Sequence, residues 1–279
     1  MRLQHVRNLL LAALCFFSGR LSPAAEFVAT FNSMQDLDAA FTKSSWTGSN
    51  RTHSPTNVAV NNGILELKLS ASPPGTLPVC AEIVSKKSDF LYGTYRASIK
   101  MTNKPGAVVG FFTYLGNPLN EIDVEFLTRT PKIAYFTLHH IQENVDNAEK
   151  TVAFDPSAAF HEYRFDWYAN KVDYYIDNQP VATLTQQVPN LASNLLLNHW
   201  SGNIAGWGGA APTEDVFMDV DWAYYNSDYS APNFLTPIQP LQARNLSGRI
   251  PWEGLIPDQG RILVIKNHRL FSLSGKALP

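Results

Sequence analysis

The segment Asn120-Glu121-Ile122-Asp123-Val124-Glu125-Phe126-Leu127 alternates acids with apolar residues. Side chains of a β-strand repeat every two residues, so Glu121, Asp123 and Glu125 would share one face and Ile122, Val124 and Phe126 the other. Acids are poor strand formers and adjacent carboxylates repel, which makes solvation alone a weak reason for such a row. Two chemistries use it. Glycoside hydrolysis needs one ionised and one protonated carboxyl on a sugar groove, and crowding pushes their pKa values apart. Calcium also takes clustered acids, but usually from loops carrying Gly and Asn rather than from alternate strand positions. Catalysis is the expectation. The spacing does not separate retention from inversion. Positions i and i+4 lie about 13 Å apart on a flat strand, whereas retaining pairs stand about 5–5.5 Å apart and would need curvature and leaning side chains.

The elements that must hold this row read as strand after strand. Val58 to Ser70 contains Asn61-Asn62-Gly63 between two alternating runs, a hairpin signal. Further strands are expected at Tyr92–Met101, Val108–Leu115, Glu121–Leu127, Ile133–Ile141, Glu162–Tyr168, Val172–Ile176, Val181–Thr185, Leu195–Trp200 and Val216–Tyr225. Helical periodicity is confined to a short turn near Met34 to Phe41. Many short strands with polar turns imply an all-β antiparallel sandwich or barrel. Residues 227–279 hold six prolines and one apolar run, Arg261 to Ile265, and are expected to form a poorly structured Pro-rich C-terminal tail with one strand.

Of the 279 residues, 45% are hydrophobic and 16% charged, a composition that excludes disorder, and the net charge of −2 offers no basic footprint for nucleic acid. Arg2, His5 and Arg7, the apolar run Asn8–Phe17 and the exit Ser22-Pro23-Ala24-Ala25 read as a secretory signal peptide over residues 1–25. The apolar run is too short for a spanning helix, which needs about 20 residues. Removing Arg2, Arg7 and Arg20 with it takes the net charge from −2 to −5. Cys15 leaves as well, so Cys80 stays without an internal partner and stability must come from the core. The sequons at Asn50 and Asn245 agree with secretion. The expected partner set is a polysaccharide, no nucleic acid and no membrane after leader removal, with the chain a monomer.

Glu121-Ile122-Asp123-Val124-Glu125 resembles the E-x-D-x-E signature of glycoside hydrolase family 16. The likeness continues in Tyr92-Gly93-Thr94-Tyr95, in Phe111-Phe112-Thr113-Tyr114 and in His161 to Trp167. It also takes in Tyr175-Ile176-Asp177, Asn198-His199-Trp200-Ser201-Gly202 and Asp221-Trp222, and so covers about residues 27–226. It implies a catalytic domain over 26–226 folded as a β-jelly-roll sandwich of two curved antiparallel sheets, concanavalin A-like. It further implies Glu121 as nucleophile, Asp123 as its assistant and Glu125 as acid/base, with no cofactor for catalysis. The form of the motif is similar to that of licheninases, plant xyloglucan-active enzymes and fungal crosslinking transglycosylases. Cys80-Ala81-Glu82 resembles a licheninase C-G-E segment and makes Glu82 a binder of sugar hydroxyls. Asn198, Trp200 and Trp207 are implied to line the cleft, the two indoles stacking on sugar rings. Asp221 is, by the same likeness, a ligand of a structural calcium on the convex side, or else a buried hydrogen-bonded Asp.

Trp167 and Trp222, at strand centres, are expected in the core, and Trp46 is open. His139 and His140 are strand neighbours pointing to opposite faces and cannot chelate together. His199, beside Trp200, is a further candidate substrate donor. The expected activity is that of a secreted retaining endo-β-glucanase on β-1,3/β-1,4-glucans. A transglycosylase of the same family and a non-catalytic lectin on the same sandwich are the alternatives.

Overall fold

The computed structural model describes residues 25–141, 145–204 and 206–232, together with strands at 254–258, 261–266 and 269–272. The leader up to residue 24, with Cys15, and the sequon at Asn245 lie outside the described residues.

The chain runs through β1 (Glu26–Thr30), α1 (Met34–Ala40), β2 (Phe41–Lys43), β3 (Trp46–Thr47), β4 (Thr52–His53), β5 (Val58–Asn61), β6 (Ile64–Leu69), β7 (Val79–Ser85) and β8 (Gly93–Lys100). It continues through β9 (Val108–Gly116), β10 (Leu119–Leu127), β11 (Ile133–His140), β12 (Val145–Thr151), β13 (His161–Tyr168), β14 (Lys171–Ile176), β15 (Gln179–Leu184), β16 (Asn194–Trp200) and β17 (Val216–Asn226). One sheet has the order β15-β14-β13-β8-β17-β6-β5 with β1 added to β17; the other has β12-β11-β10-β9-β16-β7-β4-β3 with β2 on β7. All pairings are antiparallel except β4 with β7.

The apolar alternation of each strand decides which face turns inward. Ile122, Val124 and Phe126 of β10, Leu65, Leu67 and Leu69 of β6, and Val172, Tyr174 and Ile176 of β14 are all buried. Aromatic pairs span the two sheets: Phe111 with Phe165 at 5.3 Å, Phe126 with Tyr163 at 5.4 Å and Phe136 with Tyr174 at 4.5 Å between centroids. Such rings fill a layer about 10 Å thick and add edge and tilt preferences to plain burial. Trp167 lies in this interior, whereas Trp222, though buried, stands outside the cluster that fills it, because the bulge in β17 turns it to the other face of its sheet.

Turn chemistry explains two connections. Asn62 and Gly63 adopt φ of 51° and 79°, and Asp177 and Asn178 adopt 49° and 61°. Consecutive left-handed residues of this kind make the tight turns that match strand twist, and Gly, Asn and Asp tolerate them best. The short helix α1 starts where Ser33 Oγ accepts from the Asp36 N–H at 3.2 Å.

Strands β1, β7 and β12 escape the period-two reading, as do the short β2, β3 and β4. In β7 four consecutive residues, Cys80 to Ile83, are buried, and a strand covered on both faces loses its alternation. The tail also differs from expectation. In place of one strand it carries three, β18 (Gly254–Asp258), β19 (Arg261–Lys266) and β20 (Arg269–Ser272), paired antiparallel in a separate sheet. The residues between these strands carry none of the Asn-Gly or Asp-Gly pairs that mark a hairpin in sequence. No described helix is long and apolar enough to cross a membrane.

Cys80 is a free, buried thiol whose pKa burial pushes up to about 11. A thiol in that state reacts slowly because the thiolate is the nucleophile. The folded protein is therefore expected to resist a thiol reagent at pH 8 until denaturant is added, with no change in melting temperature on adding reductant. Rapid labelling of the folded chain would contradict its burial.

Candidate active site

Strand register builds the site row by row on the outer face of the second sheet. Glu125 of β10 stands opposite Tyr135 on β11 and Gly110 on β9, Gly110 opposite Asn198 on β16, and Asn198 opposite Glu82 on β7. One step along, Asp123 lines up with Phe112, Leu196 and Val84; a further step aligns Glu121 with His139, Tyr114 and Asn194. Residues in register share a face, so the acids of β10 and the polar groups of β16 and β7 converge without any loop being needed. They line a cavity of about 420 Å³, closed at one end by Trp46, Arg51 and Trp200.

Glycine is required in the middle of the first row. A Cβ on Gly110 would lie 2.4 Å from Asn198 Oδ1, so any side chain there would displace the asparagine from the floor. Glu82 is gripped at both oxygens. Ser44 Oγ and Trp46 Nε1 donate to Oε1 at 2.6 and 3.4 Å, and Asn198 Nδ2 donates to Oε2 at 3.4 Å.

Burial is the main cause of the electrostatics on β10. It raises Glu121 to about 7, opposed by a hydrogen bond from Asp123 that favours the ionised form. It raises Glu125 to about 8, helped by the charge of Glu121 and opposed by Arg51. Asp123 is raised well above the usual carboxylate range by burial and then by both glutamates. Asp123 thus keeps its proton and donates it towards Glu121, and burial holds both glutamates above the usual carboxylate range. These are properties of a coupled trio, which titrates in shared steps. His139 Nε2 lies 3.5 Å from Asp123 Oδ2, and burial lowers the pKa of its imidazole.

The raised values carry a sign for stability. Below the ordinary Glu value of 4.5 the glutamates are protonated folded or unfolded, and between 4.5 and about 7–8 only the folded chain keeps the protons. Unfolding then releases protons, so stability falls as pH rises through that window. Glu125→Gln is expected to raise the melting temperature at pH 8, with the gain fading towards pH 4. Equal gains at both pH values would remove burial as the cause.

The structure brings Glu82, Asn198 and Trp200 into one cavity with the three acids. Trp207 is not among the residues that line this cavity, but it packs beside the row that holds Glu125. It is half-buried with its edge against Tyr135 at 5.5 Å, across β10 from the cavity. The turn that carries it explains why: Trp207 N and Gly209 N both donate to Ile204 O, and Gly208 and Gly209 take left-handed φ of 76° and 92°. His199 points into the sandwich, fully buried with Nδ1 at 2.8 Å from Leu67 O, and burial lowers it to about 4, so it is no substrate donor. Arg51 and Asn194 carry no signal in the sequence, because only register and the β3–β4 hairpin place them; Tyr114 enters through the family likeness, and His139 only as half of a pair that strand geometry separates.

Among the described residues, Glu121, Asp123 and His139 form a group whose ligand atoms lie within 4.8 Å of one another. Asp221 is not in it. It sits where the register of β17 on β8 slips between Val220 and Trp222.

A sandwich with a carboxylate strand across an open cleft is the architecture of a glycoside hydrolase. Residues 46–224 match the family described as glycosyl hydrolases family 16. A β-glucanase of Acetivibrio thermocellus is 31% identical over 248 residues, covering 85% of this chain and 71% of the relative. The structure of the Bacillus licheniformis β-glucanase superposes with a TM-score of 0.67 at 26% identity, covering 73% of this chain and 99% of that one. A β-1,3-1,4-glucanase (lichenase) derived from a mouse hindgut metagenome gives 0.65 at 26%, covering 72% and 98%. The chain belongs to glycosyl hydrolase family 16.

Proposed function

We propose that the protein is a secreted retaining endo-β-glucanase that hydrolyses β-1,3/β-1,4-glucans by double displacement. The observation that carries this reading is the row of Glu121, Asp123 and Glu125 on one face of β10, lining one cavity with Glu82 and Asn198, with Asp123 hydrogen-bonded to Glu121 so as to favour its carboxylate form. Glu121 attacks the anomeric carbon as Glu125 gives its proton to the leaving glycosidic oxygen; the C–O bond breaks and a glycosyl ester forms on Glu121. Glu125, now ionised, takes a proton from water, the water oxygen bonds to the anomeric carbon, and the ester bond to Glu121 breaks. Asp123 stabilises Glu121 as a carboxylate before attack and as a leaving group afterwards.

Glu82 and Asn198, fixed to each other on adjacent strands, are suited to read sugar hydroxyls beside the acids. The mixed-linkage substrate is supported by relatives and neighbours named β-glucanase and lichenase. Secretion rests on the leader, and a structural calcium at Asp221 on the family resemblance.

The test is incubation with lichenan, laminarin and xyloglucan, with and without a labelled oligosaccharide acceptor, while NMR follows the first anomer released. New reducing ends from lichenan, first seen in the β configuration, are expected. First release of the α anomer would exclude double displacement, and label transfer without new reducing ends would make the enzyme a transglycosylase.

A further inference from the structure

The hairpin β3–β4 does more than close the cleft: it sets an arginine on the ring expected to stack on sugar. Arg51 Cζ lies 4.3 Å from the Trp200 ring centroid and 5.5 Å from that of Trp46. Its Nε donates to His53 Nε2 and its Nη1 to Asn50 Oδ1, each at 3.3 Å, and His53 is itself stacked on Trp46 at 4.3 Å. Nη2 has no hydrogen-bond partner among the described residues. Nor does Arg51 form a salt bridge among them, although four carboxylates line the same cavity.

A guanidinium seated on an indole covers the apolar face that a pyranose would otherwise use. The remainder of Trp200 packs against the buried cluster of Leu69, Cys80, Ala107 and Val216, so its free surface is limited to the cleft side. An anionic glycan is disfavoured by those of the four acids that are ionised, and a neutral one is not.

Given the glucanase reading, we propose that Arg51 is a specificity-determining residue of the cleft, presenting its free Nη2 to the hydroxyls of a neutral glucan, and that Trp200 serves as its seat. The sugar at this end is held by directed hydrogen bonds to a planar donor. Stacking on the indole is not used. Because Asn50 and His53 fix the other guanidinium nitrogens, the free donor has a defined direction, which lysine cannot reproduce.

A double-mutant cycle tests this. Arg51→Ala is expected to raise KM on lichenan about tenfold with kcat within about twofold. Arg51→Lys should recover little of the loss. Trp200→Ala should match Arg51→Ala, and the double variant should be no worse than either, because the seat matters only through its occupant. Trp200→Phe keeps a flat seat and should stay near the parent. Urea midpoints for every variant separate binding from folding, and the conservative Lys and Phe variants decide the outcome if an alanine variant unfolds. The cycle is read in parallel by equilibrium binding of a mixed-linkage oligosaccharide in the Glu121→Ala background. Absence of turnover in the parent then counts against the glucanase reading and not against Arg51. An unchanged or lowered KM for Arg51→Ala, with Trp200→Ala equally damaging whether or not Arg51 is present, would show sugar displacing the guanidinium and would overturn the proposal.

Discussion

Glu121→Ala is expected to lose at least about a thousandfold in turnover while remaining folded. The residue is half-buried on the outer face of β10, and its removal relieves a carboxylate that burial holds at a raised pKa, so the fold has no reason to suffer. Azide with an activated aryl β-glycoside should restore part of the rate, because the anion fits where the carboxylate stood and Glu125 is not needed to protonate a good leaving group. The product should be the glycosyl azide of inverted configuration. The same experiment on Glu125→Ala should give the retained azide, since Glu121 still forms the ester and azide then attacks it. Exchange of the two outcomes would swap the roles of the glutamates.

What could be read in the residues themselves was the strand that bears the chemistry and the side of it that faces the cleft. Alternation in Glu121 to Phe126 encodes both, because a one-residue slip would put three carboxylates into the core. Asn62-Gly63 likewise declared its hairpin through backbone conformations that few residues accept. The rows across the sheet were not legible. Glu125, Gly110, Asn198 and Glu82 are scattered over more than forty positions in each direction, and only the pairing order β10-β9-β16-β7 brings them side by side. Glu82, Asn198 and Tyr114 are reached through a family likeness; Gly110 carries no local signal, and His139 signals only a pair with His140 that strand geometry separates. Trp207, carried by a turn with two left-handed glycines, packs against Tyr135 beside Glu125, a neighbour that the sequence around it does not disclose. His199 failed for a simpler reason: it follows Asn198 on a strand, so if one faces the cleft the other must face the core.

That same rule sets the second large effect, at Trp167. It is fully buried on β13, opposite Gly93 in register, with Tyr92 edge-on at 5.5 Å and Tyr95 at 6.1 Å. Its Nε1 donates to Pro189 O at 2.8 Å, so the ring both fills the interior and satisfies a loop carbonyl. Trp167→Ala should cost about 3–5 kcal/mol for the cavity and about 1–3 more for the buried acceptor left without a donor. Against a total of about 5–15 kcal/mol for a typical domain, that is enough to unfold a substantial fraction at room temperature. Trp167→Phe should recover most of the packing and none of the hydrogen bond, leaving the smaller of the two losses. Trp46→Ala, on a ring 42% exposed at the sheet edge, should stay within about 1 kcal/mol. Urea titrations with unchanged slopes measure all three. A Trp46→Ala loss exceeding that of Trp167→Ala would mean that the hairpin over the cleft, and not the aromatic layer between the sheets, holds the sandwich together.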